Sequence, residues 1–311
     1  MLAAGLGLRM RPLTRVRAKP AIPVAGEPMI GRIIRWLASH AIADVVVNLH
    51  HLPQTVAAVL GDGSDLAVRV RYSWEPRLLG TAGGPRQALD IVGCDSFAVV
   101  NGDTLTDLDL AAVEAAHAAS DALVTMAVVP NRLPERYGGV RLDQDGVVTG
   151  FVPRGPAAAG SFHFIGVQMV RAAAFMSLHP GEPADSVGGL YDLLIRSRPG
   201  SIRGFVCGAR SWDIGTPLDY LSTSLALSSN QAPPGSEARP GRRPDARAAG
   251  RRPALVRDSI LWDDVTLGDG CSLSSCIVTD GVRVPDGARY AHAMLLRAEG
   301  NEPAVFPLTE R

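Results

Sequence analysis

Two aspartates far apart in the chain stand in comparable settings: Asp103 ends an apolar run in "FAVVNGDT", and Asp213 lies in the turn "SWDIGTP". Carboxylates drawn together from distant strand ends repel one another unless a cation compensates them. Mg²⁺ suits such a pair, because it prefers oxygen, keeps several waters and takes one or two carboxylates together with substrate phosphates. Each aspartate also has a plainer reading. Asp103 after Gly102 and Asp213 before Ile214-Gly215 can both be turn residues that bond their own loops.

The opening, "MLAAGLGLRMRPLTRVRAKP", offers chemistry for anions. Gly5 and Gly7 let the backbone approach a ligand closely and expose amides to anionic oxygens, and Arg9 adds a planar fork suited to a polyphosphate. Lys19 precedes Pro20, where a solvated lysine is the plain alternative. A dinucleotide fingerprint needs a third glycine where Met10 stands, and a Walker A loop needs a Gly-Lys-Ser/Thr that is missing. A glycine turn beside arginines is common on its own. Further along, "EPRLLGTAGGPRQAL" has small residues against which a flat base could slide, or simply the start of a helix. His163 alternates with Phe162 and Phe164, which makes one strand face polar and reads best as a structural histidine. His50 and His51 end "VVVNLHH" without metal-ligand spacing.

Elements must position these residues. Short β-branched runs at 44–50, 67–73, 97–103 and 122–130 alternate with helical stretches such as "MIGRIIRWLASH" (29–40). That alternation argues an α/β fold with a mostly parallel, helix-covered sheet, whose ligands sit at the carboxyl ends of its strands. A helix is expected over 108–120, with Asp107 or Asp109 as its N-cap. Residues 229–253 are proline, glycine and arginine with almost no large apolar side chain, which reads as a mobile linker. After it, Val265, Cys271 and Ile277, and Leu261, Leu267 and Leu273, recur every six residues between Gly-Asp-Gly corners. Hexad spacing is the mark of a parallel β-helix. About two coils fit, so the stack is expected to pack on the first domain or on a second copy.

The chain has 311 residues, 46% hydrophobic and 20% charged, enough for one large core and a smaller module. Lys+Arg and Asp+Glu both total 31, so no overall field recruits nucleic acid or an anionic membrane. The four cysteines form no CxxC pair, no basic-apolar leader is seen, and no apolar run approaches the ~20 residues of a membrane span. A cytoplasmic protein with reduced thiols is the expectation.

The ordered strings "LAAGLGLRMRPLTRVRAKPAIPVAGEPMIGRII", "EPRLLGTAGGPRQAL", "VVNGDT" and "WDIGTP" together closely resemble the sugar-1-phosphate nucleotidylyltransferases, in particular the mannose-1-phosphate guanylyltransferase-like and N-acetylmuramate-1-phosphate uridylyltransferase-like members. The resemblance implies a Rossmann-like nucleotidyltransferase domain over 1–228, the linker at 229–253, and a short left-handed parallel β-helix with a tail over 254–311. It implies that Leu2, Ala3, Ala4, Gly5 and Gly7 line the nucleotide and that Glu75, Gly80, Thr81, Ala82 and Gly83 contact base and ribose. Arg9 would bind the leaving pyrophosphate, Lys19 would lie between the reacting phosphates, and Asp103 and Asp213 would hold Mg²⁺. Gly139 in "RYGGV" falls on the sugar side. The implied reaction joins an NTP and a sugar 1-phosphate into an NDP-sugar and pyrophosphate, with a homo-oligomer formed through the β-helix.

Many members carry Glu-Lys-Pro where this chain reads "VVTGFVPRGP". Val152 and Pro153 replace the charged pair, and Arg154 is the candidate for the lost positive charge. The sugar therefore stays open, as does a non-catalytic regulatory homologue that binds an NDP-sugar. The "GTAGG" segment leans towards guanylyl or uridylyl transfer. Members also begin with a few apolar residues before Leu-Ala-Ala-Gly, so the chain is expected to be truncated or its start misassigned, and restoring those residues to raise the melting temperature.

Overall fold

The computed structural model describes residues 1–231, 252–300 and 302–309, with the backbone alone at 229–231. Most of the segment expected to be a linker therefore lies outside the described residues. Near its start the chain turns in a hairpin of β1 (Pro23–Val24) and β2 (Glu27–Pro28), and α1 (Met29–Ser39) follows at once. Two compact units form: Met1–Gly5 with Ile30–Trp212, and Leu6–Met29 with Asp213–Arg311.

In the first unit, strands and helices alternate as β3 (Asp44–Leu49), α2 (Pro53–Leu60), β4 (Arg69–Trp74), α3 (Gly80–Val92), β5 (Ser96–Val100), β6 (Leu105–Thr106), α4 (Leu110–Ala118) and β7 (Val124–Pro130). Ile30, Ile33, Ile34 and Leu37 of α1 recur at helical spacing and all are buried, which is why this stretch coils with one face inward. β7 is buried along most of its length, the pattern of a strand covered on both faces. Asp109 caps α4 by accepting from the Ala112 amide, while Asp107, the other cap candidate, bonds Arg210.

The sheet corrects one expectation. β3 and β4 are parallel, and Leu2 bridges in parallel to both Asn48 and Asn101. β7 pairs in parallel with β11 (Ile202–Val206), which follows the short helix α5 (Tyr191–Ser197). Between β5 and β7, however, lies the long strand β10 (Phe162–Arg171), antiparallel to both, and β8 (Gly139–Leu142) and β9 (Val148–Val152) continue the antiparallel pairing. The sheet is mixed rather than mostly parallel. No α-helix separates residues 130 and 162, and without a crossover helix consecutive strands pair antiparallel through short loops. Val99, Val124, Met126, Val128, Val170, Phe175 and Tyr191 form the core beneath it.

The second unit joins the hairpin region to α6 (Pro217–Gln231) and a stack of very short strands. One face is β13 (Leu255–Arg257), β16 (Ser272–Ser274) and β19 (Arg289–Ala291), all parallel. The second is β14 (Ile260–Leu261), β17 (Ile277–Val278) and β20 (Ala293–Leu296), and the third is β15 (Thr266–Leu267) with β18 (Arg283–Val284). β21 (Ala304–Pro307) closes antiparallel on β20. Leu255 opposes Ser272, and Ser272 opposes Arg289, so one coil takes 17 residues. Cys271, Leu273, Cys276, Val278, Val282, Val284 and Leu295 fill the interior. No helix among the described residues is long and apolar enough to cross a membrane.

Candidate active site

Asn48, Glu75 and Asp103 of the first unit stand at or just beyond the carboxyl ends of β3, β4 and β5. The Ala3 and Ala4 amides both donate to the Asn48 Oδ1, and Asn48 Nδ2 donates to the Glu75 Oε1 at 2.7 Å. The other Glu75 oxygen accepts from the Leu79 amide. Glu75 is fully buried, with both oxygens engaged by the protein, so it braces the loops here. The opening loop is fixed from its other side as Leu2 donates to the Val100 carbonyl and Gly102 donates to that of Leu2. Sequence reasoning missed Asn48. Its only signal was a polar residue inside the apolar run "VVVNLHH".

Gly80, Thr81, Ala82 and Gly83 form the first turn of α3. The Ala82 and Gly83 amides donate to the Ala184 carbonyl, and Thr81 Oγ1 accepts from the Ser186 amide. A Cβ on Gly83 would lie 2.5 Å from the Glu182 carbonyl oxygen, and one on Gly84 would lie 2.7 Å from Asn48 Nδ2 and Glu75 Oε1. The glycines are required by this close approach of chain to chain, a reason distinct from the sliding of a base.

Asp103 follows β5 in a half-buried loop. That loop is tied to β10: Thr104 Oγ1 donates to the Ile165 carbonyl, and Asn101 donates to that of Gly166. Just beyond it, β6 pairs with β12 (Ser211–Trp212), Leu105 opposite Trp212 and Thr106 opposite Ser211. Asp103 stands two residues before this ribbon along one strand, and Asp213 is the next residue after it along the other. The ribbon is fastened by Arg210, whose Nε lies 2.7 Å from Asp107 Oδ2 and holds that carboxyl below the usual carboxylate range.

In the second unit Gly7 adopts φ 58°, where a Cβ would lie 2.7 Å from Thr14 Cγ2 and 3.4 Å from Lys19 Cβ. Only glycine takes this turn without strain. Met10 and the Thr14 hydroxyl both donate to the Gly7 carbonyl, so Lys19 lies against the glycine turn. A second convergence surrounds Gly215: a side chain there would come within 3.1 Å of Arg9 Nη1, 3.3 Å of Asp219 Oδ2 and 3.4 Å of Asp213 Oδ1. Asp219 was not singled out from sequence. It accepts from the Thr216 amide, and its own amide donates to the Thr216 hydroxyl, the reciprocal box that starts α6.

On the sugar side, Gly139 is buried opposite Val152, and a side chain there would overlap the Ser161 hydroxyl. Arg154 is exposed. His163 stacks on Tyr137 with ring centroids 4.2 Å apart, and Arg136 lies over the same Tyr137. Among the described residues no cluster of three or more His, Cys, Asp or Glu could hold a metal by itself. Asp103 and Asp213, which belong to different units, each offer the carboxylate oxygens that Mg²⁺ takes alongside water and substrate phosphates.

Residues 1–228 match the profile of the family described as Nucleotidyl transferase. The chain belongs to that family. This nucleotidyl transferase is 28% identical over 292 residues to the mannose-1-phosphate guanylyltransferase of Mycobacterium tuberculosis, covering 92% of this chain and 81% of that protein. It is 30% identical to a UTP–glucose-1-phosphate uridylyltransferase of Synechocystis sp. over 261 residues, 78% of this chain and 67% of the relative. Among solved structures, HddC from Yersinia pseudotuberculosis complexed with GMP-PN superposes with a TM-score of 0.62 at 22% identity. That likeness covers 73% of this chain and 97% of the other, and shows the fold.

Proposed function

We propose that this nucleotidyl transferase joins an NTP and a sugar 1-phosphate into an NDP-sugar and pyrophosphate, in the manner of the mannose-1-phosphate guanylyltransferases. Family membership and the similarity to guanylyl- and uridylyltransferases support the reaction class. The observation that carries the site is the convergence of Arg9 and Asp213 on Gly215, with Lys19 held against the Gly7 turn.

The sugar phosphate oxygen is already anionic at neutral pH, so the chain needs no base to activate it. That oxygen bonds to the α-phosphorus while the bond to the β-phosphate breaks and pyrophosphate departs. The work left to the protein is to hold two polyanions in line, for which positioning contributes roughly 7–11 kcal/mol in favourable cases. Leu2, Ala3, Ala4, Gly5 and Gly7 line the nucleotide, and Glu75, whose oxygens are held by Asn48 and Leu79, braces from behind the segment Gly80 to Gly83 that bounds the base and ribose. Lys19 offsets charge between the reacting phosphates and Arg9 receives pyrophosphate. Asp103 and Asp213 would hold Mg²⁺. When bound, that ion neutralises phosphate oxygens. Gly139 and Arg154 face the sugar phosphate side.

In this reading the catalytic part spans 1–228 and acts in the cytoplasm. The 17-residue coil is a left-handed β-helix through which copies of the chain associate. A second reading, an NDP-sugar-binding regulator, draws on Val152 and Pro153 standing where a charged pair is expected.

A matrix of nucleoside triphosphates against sugar 1-phosphates, read as pyrophosphate release, separates the two. Turnover is expected with one pair. Asp103→Asn and Asp213→Asn are each expected to lower kcat more than about 100-fold, the scale of losing a charge-stabilising group, with circular dichroism unchanged. Wild-type rates in either variant would defeat the metal assignment.

A further inference from the structure

Arg17 sits midway between the glycine turn and the β1–β2 hairpin, and it reaches into the C-terminal coil. Its Nε lies 2.7 Å from Asp280 Oδ2, and its Nη2 lies 2.6 Å from both Asp280 Oδ1 and Asp263 Oδ2. The guanidinium also lies 5.4 Å from the Trp262 ring centre. With a side chain only 15% exposed, this is no loose surface pair; the fork geometry is that of strong charge-assisted bonding.

The coil presents those carboxylates ready-made. Asp263 and Asp280 are one 17-residue coil apart, and the Asp263 amide donates to Asp280 Oδ1. The same corner recurs at Asp269 and Asp286, where the Asp269 amide donates to Asp286 Oδ1. Stacked aspartates arise from the coil's own register, and stacking places like charges side by side, which a cation must offset. At the first corner Arg17 is that cation.

A second tie starts from the same place. Trp262 Nε1 donates to the Tyr220 hydroxyl at 2.9 Å, and that hydroxyl donates to the Pro23 carbonyl. Tyr220 and Trp262 are both buried. Arg17 and Pro23 thus meet one constellation built by the coil and α6, and Lys19 lies on the short stretch of chain between the two ties.

We propose that Arg17 is a positioning residue: through Asp263, Asp280 and Trp262 the coil sets the place of Lys19. This rests on the reading of Lys19 as the cation at the reacting phosphates. It gives the coil a part in turnover. Arg17 acts through Lys19 alone, so its loss lowers kcat and spares the KM of both substrates.

The test is a double-mutant cycle on the full-length protein, with Arg17→Met measured in wild-type and Lys19→Met backgrounds. In the wild-type background kcat is expected to fall at least about tenfold, towards the roughly 100-fold that a 1 Å misplacement costs, with KM changed less than about threefold. In the Lys19→Met background Arg17→Met is expected to cost nothing further, because groups acting as a unit are not additive. Equal losses in both backgrounds would show a merely structural role and overturn the proposal, as would an unchanged kcat. Asp280→Asn and Trp262→Phe carry the same cycle if Arg17→Met does not fold. Hydrogen exchange at residues 18–24 reads the tie without substrate: faster exchange in Arg17→Met and Asp280→Asn is expected, and unchanged exchange overturns the proposal even if no NTP and sugar phosphate pair turns over. Loss of wild-type turnover alone would instead sink the nucleotidyl-transfer reading.

Discussion

Asn48 shows how one neutral side chain organises the start of the chain. It accepts from two amides of the opening loop and donates to buried Glu75. Asn48→Ala strips all three partners at once, and each buried polar group left unpaired costs about 1–3 kcal/mol. A loss of at least about 3 kcal/mol in urea-unfolding stability is therefore expected, larger than for truncating an exposed neighbour such as Trp74. His117 carries a different signal. Its Nδ1 lies 2.8 Å from Thr125 Oγ1, and burial, with the Arg171 charge adding, holds its pKa below the usual 6.5. The unfolded chain therefore takes up a proton first as pH falls. Stability is expected to be full above pH 6.5, to decline as pH drops through that value, and to level once the folded imidazole is also charged. Urea midpoints from pH 8 to 5 in His117→Gln are expected to show a shallower decline than wild type.

At the scale of elements, the legible parts were those whose signal is local. α1, β3, β4, β5 and β7 appear where periodicity and β-branched runs put them, and the Asp109 cap was readable from its place before an apolar stretch. The Gly80–Gly84 turn was legible as a motif, but its reason was not: the chain that crowds Gly80 and Gly83, Glu182 to Asp185, is a hundred residues away, and Gly84 is crowded by Asn48 and Glu75. The antiparallel β10 was likewise hidden, since strand direction depends on which neighbour a strand meets. The coil was legible from hexad spacing, yet its turn closes after 17 residues rather than a whole number of hexads, so only pairing showed which residues stack. Leu273 is at the centre of that stack and almost wholly buried. Leu273→Ala is expected to cost about 2–5 kcal/mol, as for other buried leucines, read as a lowered urea midpoint with the far-ultraviolet spectrum retained.

For the whole molecule, ligand binding offers a measurement that no single side chain does. A ligand that binds only the folded state adds roughly 2.7 kcal/mol at a hundred times its Kd. The cognate NTP together with Mg²⁺ is expected to raise the thermal midpoint by several degrees, a chelator to remove most of that rise, and Asp213→Asn to show little of it. An equal shift with and without chelator would count against a metal-assisted nucleotide site. The amino-acid sequence by itself determined the α/β alternation, the glycine turn, the ordered family motifs and the coil, because each is written in neighbouring residues or in a short period. Tertiary structure alone decided that Asn48 and Glu75 brace the opening loop, that Arg9, Asp213 and Asp219 converge on Gly215, and that Arg17 is held by Asp263 and Asp280. Asn48 and Glu75, Arg9 and Asp213, and Arg17 and its two aspartates are separated by tens to hundreds of residues, and a hydrogen bond or ion pair depends on distance in space, which no local pattern records.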